Sequence, residues 1–254
     1  MTPHPEAGAG APAPADAERA KRAAARRAAE LVEDGMRLGI GTGSTARHLI
    51  ERLGERAREG LRVRGVATSE ETARLTRAAG LAVVSLEEVG WLDLTIDGAD
   101  EFDPALNLVK GAGGALLREK IVATASDRMV VIADPSKAVE ALGAFPLPVE
   151  VVPFGWSVTK ALLEAALAGP SGSAAPEARL RERDGEPVVT DGGHYLLDLR
   201  LGRIDDPRRL SLAINQIPGV VENGLFVSLC DLVVLGHPDG GTELREAAAR
   251  APRL

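Results

Sequence analysis

Apolar residues along this chain come in short continuous runs. Each run is closed by a glycine-rich or acidic loop, and longer stretches follow in which apolar positions recur every three or four residues. The runs at 36–41 (MRLGIG), 61–67 (LRVRGVA), 81–86 (LAVVSL), 91–97 (WLDLTID) and 129–134 (MVVIAD) read as buried strands. The segment 17–34 is rich in alanine and charge and stops at Gly35, so it reads as a helix. HLIERLGERA (48–57), EETARLTRAAG (70–80, with Ser69 as its cap) and the residues after KGAGG (110–114) read as further helices. Strands alternating with helices in this way predict a parallel sheet covered on both faces. Ligand sites in such sheets lie at the carboxyl ends of the strands. The loops GTGST (41–45), DGADEFD (97–103), KGAGG (110–114) and DPSK (134–137) each follow a strand-like run and are expected to meet on one rim.

The pattern changes after about residue 143. PVEVVPF (148–154) reads as a strand and SVTKALLEAALAG (157–169) as a helix. EARLRERDG (177–185) and HYLLDLRLG (194–202) read as two strands, PRRLSLAINQI (207–217) as a helix and VVENGLFVSL (220–229) as one strand. Strand–helix–strand–strand–helix–strand is the ferredoxin-like order. DLVVLG (231–236) reads as a return strand for the first sheet. The expected fold is therefore α/β: a doubly wound, mostly parallel, Rossmann-like sheet from 17–143 and 229–254, with a smaller ferredoxin-like α+β domain over 144–228. The Ala-, Pro- and Gly-rich residues 1–16 read as a disordered tail, and GPSGSAAPEA (169–178) as a flexible loop.

Composition narrows the function classes. A net charge of −7 argues against a nucleic-acid partner. No apolar run reaches the roughly 18 residues needed to span a bilayer, so no membrane role is expected. Cys230 has no second cysteine to pair with and no segment reads as a signal peptide, which makes the cytoplasm the expected compartment. His4, His48, His194 and His237 are scattered without metal-ligand spacing, so no metal site is expected.

The loops carry the chemistry. GIGTGST (39–45) joins a strand to a helix. Its glycines let backbone N–H groups approach an anion and the helix N-terminus adds partial positive charge. It has neither P-loop nor dinucleotide-fingerprint spacing, and a plain capped turn is the alternative. DGADEFD places Asp97, Asp100, Glu101 and Asp103 within seven residues, suited to acid/base work on a polyhydroxylated substrate or to a solvated, Asp-capped turn. In KGAGGALLREK (110–120) the helical neighbours of Glu119 are Ala115, Leu116, Val122 and Ala123, all apolar. Arg118, Glu119 and Lys120 lie ~100° apart around a helix, so they do not share a face. Spacing leaves open which of them faces inward. If Glu119 does, desolvation raises its pKa and makes it a usable base. Lys110, Lys137 and Lys21 are candidates for holding an anionic group.

Taken together, GIGTGST, TIDGADE, KGAGGALLREK, ADPSK, FPLPVEVVP and IPGVVENGLF resemble, in order and spacing, the type A ribose-5-phosphate isomerase family over roughly residues 21–240. The resemblance implies a cofactor-free aldose–ketose isomerase acting on a small sugar phosphate through an enediolate, and a homodimer or homotetramer. It places the phosphate and substrate loop on Thr42, Gly43, Ser44 and Thr45. The DGAD substrate motif falls on Asp97, Gly98, Ala99 and Asp100, and the KGxG motif on Lys110, Gly111, Ala112 and Gly113. The general base falls on Glu119, a substrate-contacting lysine on Lys137, and a phosphate-contacting lysine on Lys21. Asp97 and Asp100 are expected to bind hydroxyls and assist ring opening, and Lys110 to stabilise the enediolate oxygen. The chain departs from the family at Thr190–His194, where TDNGN is usual, and in its long tail and its 169–178 segment; these are expected to lie away from the site. The other classes to carry are a sugar-phosphate deaminase or CoA transferase on a similar sheet, and a non-catalytic sugar-phosphate sensor.

Overall fold

The computed structural model describes residues 13–168 and 176–248. Helix α1 (Pro14–Ala29) leads into strand β1 (Arg37–Ile40), helix α2 (Ser44–Arg58), strand β2 (Arg64–Ala67), helix α3 (Glu70–Ala78), strand β3 (Ala82–Val83), helix α4 (Leu86–Val89) and strand β4 (Leu94–Asp97). Two short strands, β5 (Glu101–Phe102) and β6 (Leu108–Val109), come next, followed by helix α5 (Leu116–Thr124), strand β7 (Met129–Ala133) and a 3₁₀ turn at Pro135–Lys137. Strand β8 (Leu147–Val151), helix α6 (Trp156–Leu167), β9 (Glu177–Leu180), β10 (Glu182–Arg183), β11 (Glu186–Pro187), β12 (Tyr195–Arg200), helix α7 (Pro207–Asn215) and β13 (Val220–Asn223) follow. The chain ends with β14 (Leu225–Phe226), β15 (Leu232–Gly236) and β16 (Thr242–Glu246).

The main sheet runs β16-β15-β7-β4-β1-β2-β3. Its strands are parallel except for β16, which is antiparallel to β15. Strand β7 sits between β4 and β15 with every side chain buried, as a doubly covered parallel strand requires. One face is packed by α1 and α2 through Ala24, Ala28, Leu49 and Leu53; on the other, Met129, Val131 and Val233 of the sheet pack with Phe102 and Phe226 of the short strands β5 and β14. A second, antiparallel sheet has the order β13-β8-β12-β9 with α6 and α7 packed on it. For a strand–helix–strand–strand–helix–strand unit, that is the ferredoxin-like order.

Several local expectations are corrected. Helix α1 begins at Pro14, inside the segment read as tail, and ends at Ala29 rather than running to 34. Proline suits a first helical turn because its missing N–H would have no partner there, and Asp16 adds favourable charge to the same turn. The rest of the expected tail, residues 1–12, lies outside the described residues, as does 169–175 of the expected loop; Glu177 and Ala178 already belong to β9. DGADEFD is not wholly a loop, since Glu101–Phe102 pairs with β6 in a small sheet ordered β14-β6-β5. VVENGLFVSL is two strands in two different sheets. The chain switches at Gly224, whose N–H donates to Pro148 O at 2.8 Å while its carbonyl accepts from Lys110 N at 2.9 Å. This crossover joins the small sheet to the start of the KGAGG loop. Strand β16 and helix α4 have no counterpart in the sequence reading.

Candidate active site

Three chain segments converge where strands β1, β4 and β7 end. The first supplies an anion-binding corner. Gly43 occupies the N-cap of α2 without a side-chain cap, and the first intrahelical bond runs from Arg47 N to Gly43 O. The backbone N–H groups of Ser44 and Thr45 therefore have no partner inside the helix, and the helix dipole adds partial positive charge beside them. Lys21 from α1 and Lys137 from the 3₁₀ turn line the same cavity, of about 450 Å³. The Lys21 ammonium is held at 2.8 Å by Glu18. The Thr42 hydroxyl is engaged by Thr68, Ser69 and Thr72 at 2.8, 2.9 and 3.0 Å, which fastens the loop to the end of β2 and the start of α3. A β-carbon on Gly41 would stand 1.9 Å from Asp97 Oδ1, so glycine is needed for this loop to pass over the end of β4.

The second segment is the carboxylate–lysine cluster. Asp97 ends β4 fully buried, its Oδ1 accepting from Gly98 N at 2.7 Å and Thr42 N at 3.2 Å. Lys110, 3% exposed, donates to Gly98 O at 2.6 Å. Its ammonium lies 3.0 Å from Asp97 Oδ2 and 3.3 Å from Glu119 Oε2, and 5.5 Å from the centre of the Phe226 ring. Those two carboxylate oxygens are buried at ion-pair distance yet receive no well-aligned hydrogen bond.

The triplet on α5 divides as its helical spacing requires. Arg118 turns outward to Glu70 at 2.9 Å and to Asp191 at 3.6 Å. Lys120 turns the other way, to Glu222 Oε1 at 2.9 Å and Asn223 O at 2.6 Å. Glu119, 4% exposed, faces the cavity. Burial, reinforced by the Asp97 charge, pushes its carboxyl up to about 8 against the pull of Lys110. Burial also raises Asp97, against the pull of Lys110 and its two backbone donors. Of the two, Glu119 is the readier proton carrier, because Asp97 has two backbone N–H donors that favour its charged form. Burial disfavours the Lys110 charge, but Asp97, Glu119 and Asp100 outweigh it and hold the lysine protonated.

Thr42, Gly43, Ser44, Thr45, Gly98, Ala99, Asp100, Lys110, Gly111, Ala112, Gly113, Glu119, Lys21 and Lys137 all line this one cavity. Asp97 alone of the sequence candidates does not; it lies beneath Lys110 instead of presenting its carboxylate to a sugar hydroxyl. Asp100 Oδ2 accepts from Ala112 N at 2.9 Å. The other two acids of DGADEFD lie elsewhere: Glu101 accepts from Gly143 N at 2.7 Å and Phe145 N at 2.5 Å, and Asp103 bonds Asn107. Among the described residues, no three His, Cys, Asp or Glu side chains are grouped to hold a metal ion. None of Thr190–His194 lines this cavity; Asp191 meets the outward-facing Arg118 at 3.6 Å. Asp134 and Ser136 reach the cavity wall with the DPSK loop expected there, although only Lys137 of that loop was singled out; Ala17 was missed, as was Arg181, which reaches the KGAGG loop from the small sheet.

The family of ribose 5-phosphate isomerase A (phosphoriboisomerase A) matches residues 64–240. The chain belongs to that family. The ribose-5-phosphate isomerase A of Cereibacter sphaeroides (strain KD131) is 62% identical over 228 residues, covering 89% of this chain and 87% of that one. Ribose 5 phosphate isomerase A from Neisseria gonorrhoeae superposes with a TM-score of 0.83 at 39% identity, over 92% of this chain and 98% of its own. A D-ribose-5-phosphate isomerase solved in complex with phospho-erythronic acid gives a TM-score of 0.83 at 37% identity, over 89% of this chain and 97% of its own. The GTGST loop precedes the matched span, and its place in the site rests on the geometry of α2.

Proposed function

We propose that this chain interconverts D-ribose 5-phosphate and D-ribulose 5-phosphate, with Glu119 moving the proton between C2 and C1. Family membership supports the reaction. The observation that carries the mechanism is the Glu119 carboxylate, buried in the cavity wall with a raised pKa, an unbonded Oε2 and an ammonium 3.3 Å away. A proton beside an aldehyde is weakly acidic, so its removal needs a base on one face and charge stabilisation at the oxygen. Glu119 takes the C2 proton and returns it to C1. Lys110 faces the negative charge that develops on the enediolate. Asp97 keeps Lys110 charged and fixed from below. Asp100, on the cavity wall, binds sugar hydroxyls and moves hydroxyl protons as the ring opens.

The far end of the cavity binds the phosphate. The first-turn N–H groups of α2, the hydroxyls of Ser44 and Thr45, and the ammonium groups of Lys21 and Lys137 give an anchor whose binding energy positions the reacting carbons. Phospho-erythronic acid, bound by the solved relative, carries a phosphate and a carboxylate on one sugar chain. The two cationic regions of this cavity suit those two charges.

The same reading divides the chain into a catalytic unit, 17–143 with 229–254, and a small unit, 144–228. It also includes assembly as a homodimer or homotetramer, supported by the exposed apolar side chains of Phe154, Val158 and Leu162 around α6. A phosphorylated sugar does not cross a bilayer unaided, which supports a cytoplasmic enzyme. The test is a direct assay of ribulose 5-phosphate formation from ribose 5-phosphate by the purified chain. Turnover is expected without any added cofactor. Tight binding of ribose 5-phosphate with no turnover would replace the isomerase reading with that of a sensor.

A further inference from the structure

The loop between Lys110 and Glu119 carries both reacting groups at its ends, yet it is almost without side chains of its own. Gly111, at φ +114°, has the left-handed backbone that lets the loop turn there. On the cavity side the loop is tied by Ala112 N to Asp100 Oδ2 at 2.9 Å. On its other side it is tied by one residue of the small sheet. Arg181 Nη1 donates to Gly111 O at 2.8 Å and to Ala112 O at 3.1 Å. The guanidinium is itself fixed by Asp198, whose Oδ2 accepts from Nε at 2.9 Å and whose Oδ1 pairs with Nη2. The Arg181 backbone is pinned as well, its N–H donating to Leu196 O at 2.8 Å and its carbonyl accepting from Val188 N at 2.9 Å.

We propose that Arg181 is a positioning residue for the isomerisation, the part by which the small sheet sets the orientation of the 111–113 peptides in the active site. In a planar trans peptide the N–H points opposite to the C=O. Arg181 draws the Gly111 carbonyl to its own side, and the Ala112 N–H of the same peptide duly leaves on the Asp100 side. Arg181 also draws the Ala112 carbonyl, so the Gly113 N–H points away from Arg181, and Gly113 itself lines the active-site cavity. Among the described residues that N–H has no acceptor. It is a backbone donor available to a sugar oxygen, and fixed donors stabilise developing charge without reorganising during the reaction. Because the same loop leads directly into α5, loss of the clamp also loosens the placement of Glu119 relative to Lys110.

This inference rests on the isomerase reading above, and its test is kept separate by comparing variants with the wild type. In Arg181→Ala, kcat is expected to fall ~10- to 100-fold, the scale of a small misplacement of reacting groups. KM for ribose 5-phosphate is expected to change less than about threefold, because the phosphate anchor lies on other elements. Arg181→Lys, which keeps the charge but can reach only part of the two-carbonyl clamp, should fall between the two. Guanidinium ion at millimolar concentration should partly restore Arg181→Ala. Amide hydrogen exchange across 110–116 should quicken in Arg181→Ala while β7 and β15 exchange as in the wild type. Unchanged kcat in Arg181→Ala, or equal loss in Arg181→Lys and Arg181→Ala with exchange quickened throughout the small sheet, would overturn the positioning role. An inactive wild type would overturn the isomerase reading and this inference with it.

Discussion

Lys110 Nζ lies 3.3 Å from Glu119 Oε2, and both side chains are almost wholly sealed from solvent. The same ammonium lies 3.0 Å from Asp97 Oδ2, so one cation serves two buried carboxylates and cannot fully compensate both. A proton is therefore held more tightly in this cluster than on an exposed acid. Glu119, unlike Asp97, has no backbone donor to favour its charged form, which suits it to the proton-carrying role proposed for it.

Glu119→Gln keeps the size and removes the ability to accept a proton. Turnover is expected to fall by at least ~10²–10⁴-fold with the fold intact and ribose 5-phosphate binding little changed. In D₂O the wild type should place deuterium at C1 of ribulose 5-phosphate, since a carboxylic acid can exchange its proton with solvent before returning it. Near-normal turnover and labelling in the variant would move the base to Asp100 or Asp97.

The pH dependence has a definite sign. Glu119 acts as a base only when ionised and its carboxyl is pushed up to about 8, so kcat/KM should rise with pH and level off near that value. Stability should run the other way. Between the ordinary value of 4.5 and about 8 the folded chain holds a proton that the unfolded chain has lost. Stability contributed by that proton is present at low pH and falls as pH rises across this window. Thermal melts should show the wild type losing Tm relative to Glu119→Gln over that range. A kcat/KM profile flat down to the ordinary carboxylate range would refute the assignment.

Phosphate anchoring predicts a split between substrate and fragment. Lys137→Ala or Lys21→Ala removes a charged contact worth about 1.5–3 kcal/mol, a loss of about 10- to 150-fold in kcat/KM. Free ribose should be a very poor substrate for the wild type. Comparable efficiency on ribose and ribose 5-phosphate would contradict the role given to the α2 terminus.

Activity should survive exhaustive chelation with EDTA. Asp97 and Glu119 share one lysine, Glu101 and Asp103 bond backbone and Asn107, and Lys110 can supply the positive charge a metal would give. Loss of activity restored by Mg²⁺ or Mn²⁺ would show that these carboxylates rearrange around a metal.

Gly41→Ala should be among the more damaging small substitutions. The added carbon would meet Asp97 at 1.9 Å from Oδ1 and 2.6 Å from the backbone Cα. Relieving that overlap costs ~1–3 kcal/mol and displaces the aspartate under Lys110. Both Tm and kcat should fall, and a variant with normal values of each would show that the loop can shift without disturbing the cluster.

Much of this protein was legible from its sequence. Runs such as MVVIA are apolar because β7 is buried on both faces, and that cause leaves its mark in consecutive residues. The rim loops were legible for the same local reason, since each follows its strand directly, and the family motifs lie in those loops. Spacing alone showed that Arg118, Glu119 and Lys120 must point three ways. Only the tertiary structure decided which way each pointed, because the groups they meet, Glu70, Lys110 and Glu222, come from other elements of the fold. It also decided that Asp97 is buried beneath Lys110 while Asp100 lines the cavity, although only Gly98 and Ala99 separate them: one ends the strand inside the sheet and the other begins the turn out of it. Arg181 left no local sign, because the carbonyls it holds are 70 and 69 positions away. A hydrogen bond between distant segments is set by how two sheets pack, and periodicity in a sequence records only which face of each element is covered.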